Sequence, residues 1–225
     1  GGPQKVAPIL KNTLEQLDEL FNQPDGLSGL TTGFTEIDNR TSGLQKADLV
    51  IVAARPSMGK TTYAMNLVEN ALLATKRPCL VFSLEMPSES IVMRMLSSIG
   101  KIDQTRIRSG KLIDEDWPKL SAAVNMLKDL PLYIDDTPAL TPQEMRARAR
   151  KVYRDNNNDL AMIMVEYLQL MRVTGNTEGR TQEISEISRT LKVIAKEFNC
   201  PLVALSQLNR SLEQRPNKRP VNSDL

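Results

Sequence analysis

Five short apolar runs, separated by segments of helical period, limit what this chain of 225 residues can fold into. The runs are Asp48–Ala54, Cys79–Leu84, Leu132–Asp135, Leu160–Glu166 and Leu202–Ser206. Helices are predicted over Lys60–Thr75, Ser88–Ile99, Glu115–Leu130, Pro142–Arg154 and Gln182–Phe198. A strand that is apolar at successive positions has both faces to bury, and the architecture that buries both is a parallel sheet with helices on each side. The expected class is therefore α/β, with a largely parallel sheet flanked by helices. Ahead of the first run, Leu10, Leu14, Leu17 and Phe21 recur at helical spacing, with Lys11, Glu15, Asp18 and Glu19 between them. That pattern predicts an amphipathic helix ending before the turn Gln23-Pro24-Asp25-Gly26. It divides the chain into a helix and turn at 1–26 and a single α/β domain at 27–225. The helix either packs on its own domain or docks on a neighbouring subunit, and both readings stay open.

Composition removes several chemistries. There is no histidine, so no Ser-His-Asp triad, imidazole base or histidine-zinc site exists, and general base work falls to carboxylates. A net charge of +2 gives no bulk attraction to nucleic acid or membrane. The two cysteines, Cys79 and Cys200, each sit beside a proline at the head of an apolar run and read as buried, reduced thiols. The expected compartment is the cytoplasm. No signal-like leader opens the chain, and no apolar run approaches the ~18 residues of a membrane span.

After the first run comes "AARPSMGKTT", Ala53 to Thr62, which differs from the phosphate-loop pattern G-x-x-x-x-G-K-[ST] by Ala54 at the first glycine. The setting is strand, loop, helix, as that motif requires. Backbone N–H groups over Ser57, Met58, Gly59, Lys60, Thr61 and Thr62 would cradle phosphates at a helix N-terminus. Lys60 adds charge for the outer phosphates, and Thr61 offers a hydroxyl to Mg²⁺. ATP with Mg²⁺ is the expected ligand pair. Hydrolysis also needs a carboxylate for the attacking water and another for the metal. Glu85 closes "CLVFSLE" and Glu166 closes "LAMIMVE", both at strand C-termini, where parallel sheets place their sites. Glu85 is equally readable as a solvated strand-end carboxylate. Gln207, closing "LVALSQ", could set an amide near the γ-phosphate or simply face solvent.

Together these stretches resemble the C-terminal ATPase domain of the DnaB family of replicative DNA helicases, which has a RecA-like P-loop core. The matching segments are "GLTTGFTEIDNRTSGL", "VAARPSMGKTT", "VFSLEM", "YIDDTP", "YLQLMR", "EISRTLKVIAKE" and "PLVALSQLNRSLEQR", in order from about Leu27 onwards. The resemblance implies a homohexameric ring that hydrolyses ATP at subunit interfaces and moves along single-stranded DNA. It further implies a linker helix over 1–26 that joins subunits, and a helicase loader and a primase as partners. Carried over by position, Lys60 and Thr61 bind phosphates and Mg²⁺, Glu85 is the catalytic base, Glu166 the metal-holding acid and Gln207 the γ-phosphate sensor. Ala54 is a family trait.

The chain departs from that family at Glu166, where the pattern has aspartate. The extra methylene moves the carboxylate by about 1.5 Å, one C–C bond, and a misplacement of that order can cost ~10²-fold in rate. This motivates an alternative reading: a nucleotide-binding assembly module with little or no hydrolysis. The resemblance also implies that the DNA-contacting loop, and the strands whose basic residues complete a neighbour's site, lie past Leu225. Arg172, Arg180 and Arg210 would face the central channel. The basic tail Arg215, Lys218 and Arg219 reads as a solvated run, as does the helix face with Arg146, Arg148, Arg150 and Lys151. Arg172–Arg180 and Arg215–Leu225 read as mobile. With a single Trp117, base stacking is not expected to drive strand binding.

Overall fold

The computed structural model describes residues 2–21, 29–33, 38–39, 41–54, 60–167 and 179–207; Leu20, Phe21, Ala54, Lys60, Thr61, Arg180, Thr181 and Gln207 are described in their backbone only. In chain order the elements are α1 (Val6–Phe21), β1 (Leu49–Ala54), α2 (Lys60–Thr75), β2 (Cys79–Ser83), α3 (Ser88–Gly100) and α4 (Gln104–Ser109). They continue with α5 (Asp116–Lys128), β3 (Leu132–Asp135), α6 (Pro142–Asp155), β4 (Met162–Glu166), α7 (Arg180–Phe198) and β5 (Leu202–Gln207). The strands form one parallel sheet in the order β1-β5-β4-β2-β3.

The period of two along each strand divides the core into two layers. Leu80, Phe82, Ile163, Val165, Leu202 and Ala204 point to one face and meet α6 and α7 through Met145, Ala149, Ile187, Leu191 and Ile194. Their sequence neighbours Cys79, Val81, Met162, Met164, Val203 and Leu205 point to the other and meet α2 and α3 through Leu67, Val68, Leu72, Ile91 and Met95. Each fully buried aliphatic side chain of this kind contributes roughly 1.5–3 kcal/mol of transfer free energy. The uninterrupted apolar runs are thus accounted for: β2, β4 and β5 are covered on both sides.

Polar contacts fix the perimeter. At the N-terminal ends of the strands, Arg77 grips Asp159 (Nη2–Oδ1 2.7 Å) and also donates to the Leu160 carbonyl (3.2 Å), joining β2 to β4. The guanidinium holds Asp159 below the usual carboxylate range. On the α2 side, Asp38 accepts from the Thr32 N–H (2.9 Å) and from the Thr31 and Thr32 hydroxyls, while Asn70 of α2 donates to the Thr32 carbonyl (2.9 Å). Burial alone would raise the Asp38 pKa, but these bonds outweigh it and the pKa is lowered. Gly33, at φ +80°, is required there, since an added Cβ would sit 1.9 Å from the Asn70 amide. Cys79 and Cys200 are buried free thiols, each pushed up to about 12 by burial.

At two places the structure departs from the sequence reading, and at a third it bears on a question the sequence left open. A helix was not foreseen between α3 and α5, yet α4 forms because Asp103 caps it, accepting from the Thr105 N–H (2.8 Å), and Gly110 closes it at φ +71°. The basic face of α6 is solvated in part, as expected, but its charges are paired. Arg148 binds Asp135 (2.8 Å) and the Thr137 hydroxyl (2.7 Å), Arg146 and Arg150 both bind Glu197 of α7, and Lys151 pairs with Asp155. The arginines are used to tie α6 to its neighbours. Finally, α1 is not covered by its own domain: Val6, Ile9, Leu10, Leu14 and Leu17 remain 63, 45, 54, 65 and 56% exposed. The turn expected at Gln23–Gly26 and the tail Arg215–Leu225 lie outside the described residues; of Arg172–Arg180, only 179–180 is described, where the chain enters α7. Among the described residues no helix is long and apolar enough to cross a membrane.

The start of α6 is set by a threonine cap. Thr141 accepts from the Glu144 N–H (3.2 Å) and donates to its carboxylate (3.1 Å), with Pro142 at the first helical position. Thr141→Ala is expected to lower unfolding free energy by about 1 kcal/mol, read from the midpoint of urea denaturation at unchanged slope.

Candidate nucleotide site

All strands of a parallel sheet end on one side, so residues at their C-termini are gathered at one edge. β1 ends at Ala54, β4 at Glu166 and β5 at Gln207, and Glu85 lies just past the end of β2 at Ser83. Ala54 is opposite Gln207 in register, and Glu166 is opposite Ser83 on one side and Leu205 on the other. Across the edge the order is therefore the strand leading into the loop, Gln207, Glu166, then Glu85. α2 begins at Lys60, so Lys60, Thr61 and Thr62 make up its first turn, and Thr62 is half-buried. That turn presents backbone N–H groups without intrahelical partners, together with the positive end of the helix dipole, both of which favour an anion. Ser57, Met58 and Gly59 lie outside the described residues, as do Arg172 and Arg210; Arg180 is the first residue of α7.

The two glutamates occupy opposite environments. Glu166 is 0% exposed, whereas Glu85 is exposed. An ionised carboxylate in an apolar interior is costly unless hydrogen bonds or a cation compensate it. The carboxylate oxygens of Glu166 are hard donors, of the kind that suit Mg²⁺. The exposed Glu85 is free to meet a water molecule.

The segment carrying Glu85 is short and tightly held. Four residues, 84–87, join β2 to α3. The Leu84 N–H donates to the Glu166 carbonyl (2.8 Å), the Ser83 hydroxyl donates to the Met86 carbonyl (2.8 Å), and the Ser88 N–H donates to Asp136 (2.9 Å). Next to it, burial would raise the pKa of Asp135, but Arg148 and Thr137 hold it lowered. Neither Ser83 nor Asp136 was singled out from the sequence. The available signal was a second carboxylate immediately past a predicted strand end, in "YIDDTP".

Residues 29–225 match the family model described as DnaB-like helicase C terminal domain. The chain belongs to that family. Curated relatives named replicative DNA helicase DnaB align over the whole chain. That of Buchnera aphidicola subsp. Acyrthosiphon pisum is 58% identical over 226 residues, covering 49% of the relative. The protein of Haemophilus influenzae is 58% identical over 228 residues, covering 48% of its length, and that of Geobacillus stearothermophilus 45% over 226 residues, covering 49%. The chain thus spans about half the length of the curated relatives it matches. Among solved structures, one of an isolated ATPase domain superposes with a TM-score of 0.89 at 32% identity, over 100% of this chain and 78% of that one. A DnaB-like replicative helicase, studied with its interactions with primase, gives 0.84 at 32% identity over 100% and 53%. The fold is the RecA-like helicase ATPase fold expected from the sequence.

Proposed function

We propose that this chain is the ATP-hydrolysing motor of a replicative DNA helicase, working in a homohexameric ring that translocates on single-stranded DNA and unwinds duplex. The observation that carries the reading is the gathering of the α2 N-terminus, Glu85, Glu166 and Gln207 at one sheet edge. In this reading the backbone from Ser57 to Thr62 and the Lys60 ammonium hold the ATP phosphates. Thr61 and Glu166 hold Mg²⁺, which when bound neutralises charge on the phosphate oxygens. Glu85 takes the proton of the attacking water, and Gln207 donates its amide towards the γ-phosphate. Arg172, Arg180 and Arg210 contact the DNA backbone, a largely sequence-independent mode of binding. The protein acts in the cytoplasm, with a helicase loader and a primase as partners. Glu85→Ala in the intact protein that carries these residues is expected to lower DNA-stimulated ATP turnover at least ~10²-fold, the usual share of a general base, without loss of ATP binding. Turnover that survives the change removes Glu85 from the mechanism.

Ring assembly is assigned to α1. A helix in a protein gains most of its stability from packing an apolar face, and the stripe of this 16-residue helix at Ile9, Leu10, Leu14 and Leu17 is exposed. Docking on a second copy of the chain covers it. Leu14→Glu is expected to shift the sedimenting species towards monomer, with a change in domain stability of no more than about 0.5 kcal/mol, as for other exposed positions.

Glu166 favours a second reading, a nucleotide-binding assembly module with little hydrolysis, because its longer side chain displaces the carboxylate. Glu166→Asp separates the two. A gain of tenfold or more in turnover, on the scale of a corrected ~1 Å misplacement, identifies a slowed motor; unchanged low turnover identifies the binding module.

A further inference from the structure

We infer that Asp136, at the far edge of the sheet from the phosphate loop, is a positioning residue for Glu85. The inference rests on the assignment of Glu85 as the base. The N-cap of α3 is Pro87, which has no side-chain acceptor, so no side-chain cap bond is made by the cap residue at that end of the helix. The first orphan N–H, that of Ser88, is instead satisfied by Asp136, 48 residues away and one residue past the end of β3. The carboxylate also lies at the positive end of the α3 dipole, where negative charge is favoured.

Glu85 sits on a link of four residues between a strand and a helix. The β2 side of the link is fixed from β4, through Leu84 to the Glu166 carbonyl, and from within, through Ser83 to the Met86 carbonyl. Asp136 supplies the third fixed point and the one tied to β3, so it sets where α3 starts and how the link bends. The edge strand is itself anchored: Asp135 is bound by Arg148 of α6 and accepts from the Thr137 N–H (3.0 Å). Removing the Asp136 carboxylate releases the helix end of the link and lets Glu85 drift from the attacking water. An error of about 1 Å in a reacting group can cost ~10²-fold, and partial release through one of three anchors should cost about tenfold. The loss falls on kcat, because the phosphate-binding turn is on a different strand.

The bond can be cut from either side. Asp136→Ala removes the acceptor. Ser88→Pro removes the donor at the first helical position, where proline is favoured, and Pro87 already has the extended geometry (φ −62°, ψ 151°) that a following proline demands. Asp136→Asn keeps an oxygen acceptor. Steady-state ATP turnover is measured in the intact protein, with Thr141→Ala, a cap lost elsewhere, as the stability control. Asp136→Ala and Ser88→Pro are each expected to lower kcat about tenfold at unchanged KM for ATP. The double variant falls no further than either single one, since both cut the same bond, and Asp136→Asn stays within about threefold of the parent because Asn and Asp cap comparably. The inference is overturned if either single variant keeps kcat within about twofold, if the two losses add, if Asn fares no better than Ala, or if Thr141→Ala shows the same loss. Should Glu85→Ala remain active, the assignment of the base fails first; a dead Glu85→Ala beside an unaffected Asp136→Ala sinks only the positioning.

Discussion

A sheet buried on both faces can offer chemistry only at its strand ends, and most of this molecule follows from that constraint. Helices α2 and α3 cover one face and α6 and α7 the other, so no side chain in the middle of β2, β4 or β5 reaches solvent. Parallel pairing then brings every strand C-terminus to the same edge. The polar residues that close the runs, Glu166 and Gln207, and Glu85 just beyond β2, cannot be scattered. They share an edge because the apolar residues before them are committed to the core. The burial difference between Glu166 and Glu85 comes from the same source: one closes a central strand, the other sits two residues beyond a strand end.

Much of this was legible in the sequence, because long apolar runs have few ways to be buried. All five strands lie where the runs predicted, with ends shifted by one or two residues: Leu160 and Ala161 fall before β4, and Gln207 completes β5. The gathering of Glu85, Glu166 and Gln207 at one edge was legible for the same reason, since a strand end is a position along the chain before it is a position in space. What did not show was partnership across long separations. Arg148 with Asp135 and Arg150 with Glu197 are joined by how α6 packs, and Ser88 with Asp136 by strand order; neither is written in any local period. α4 was missed for a different reason: six residues are too few for a periodic signal, and only its caps, Asp103 and Gly110, announced it.

The perimeter contacts act chiefly by placing things. Exposed ion pairs contribute at most about 1 kcal/mol each, far less than the apolar layers beneath them. Arg77 with Asp159 nevertheless decides how β2 and β4 enter the sheet, and the Asp38 cluster decides how the segment at 29–33 meets Asn70. Hydrophobic burial makes the sheet stable in many nearly equivalent arrangements; these directional bonds select among them.

The burial of Cys79 and Cys200 has a practical side. Burial pushes both thiols up to about 12, which leaves little thiolate at neutral pH, and the thiolate is the nucleophile. These are the only two cysteines in the chain. A single cysteine introduced on the exposed face of α1 would therefore accept a maleimide dye against a silent background. The native thiols could stay in place, and the chain could carry an optical reporter on α1 without its core being rebuilt.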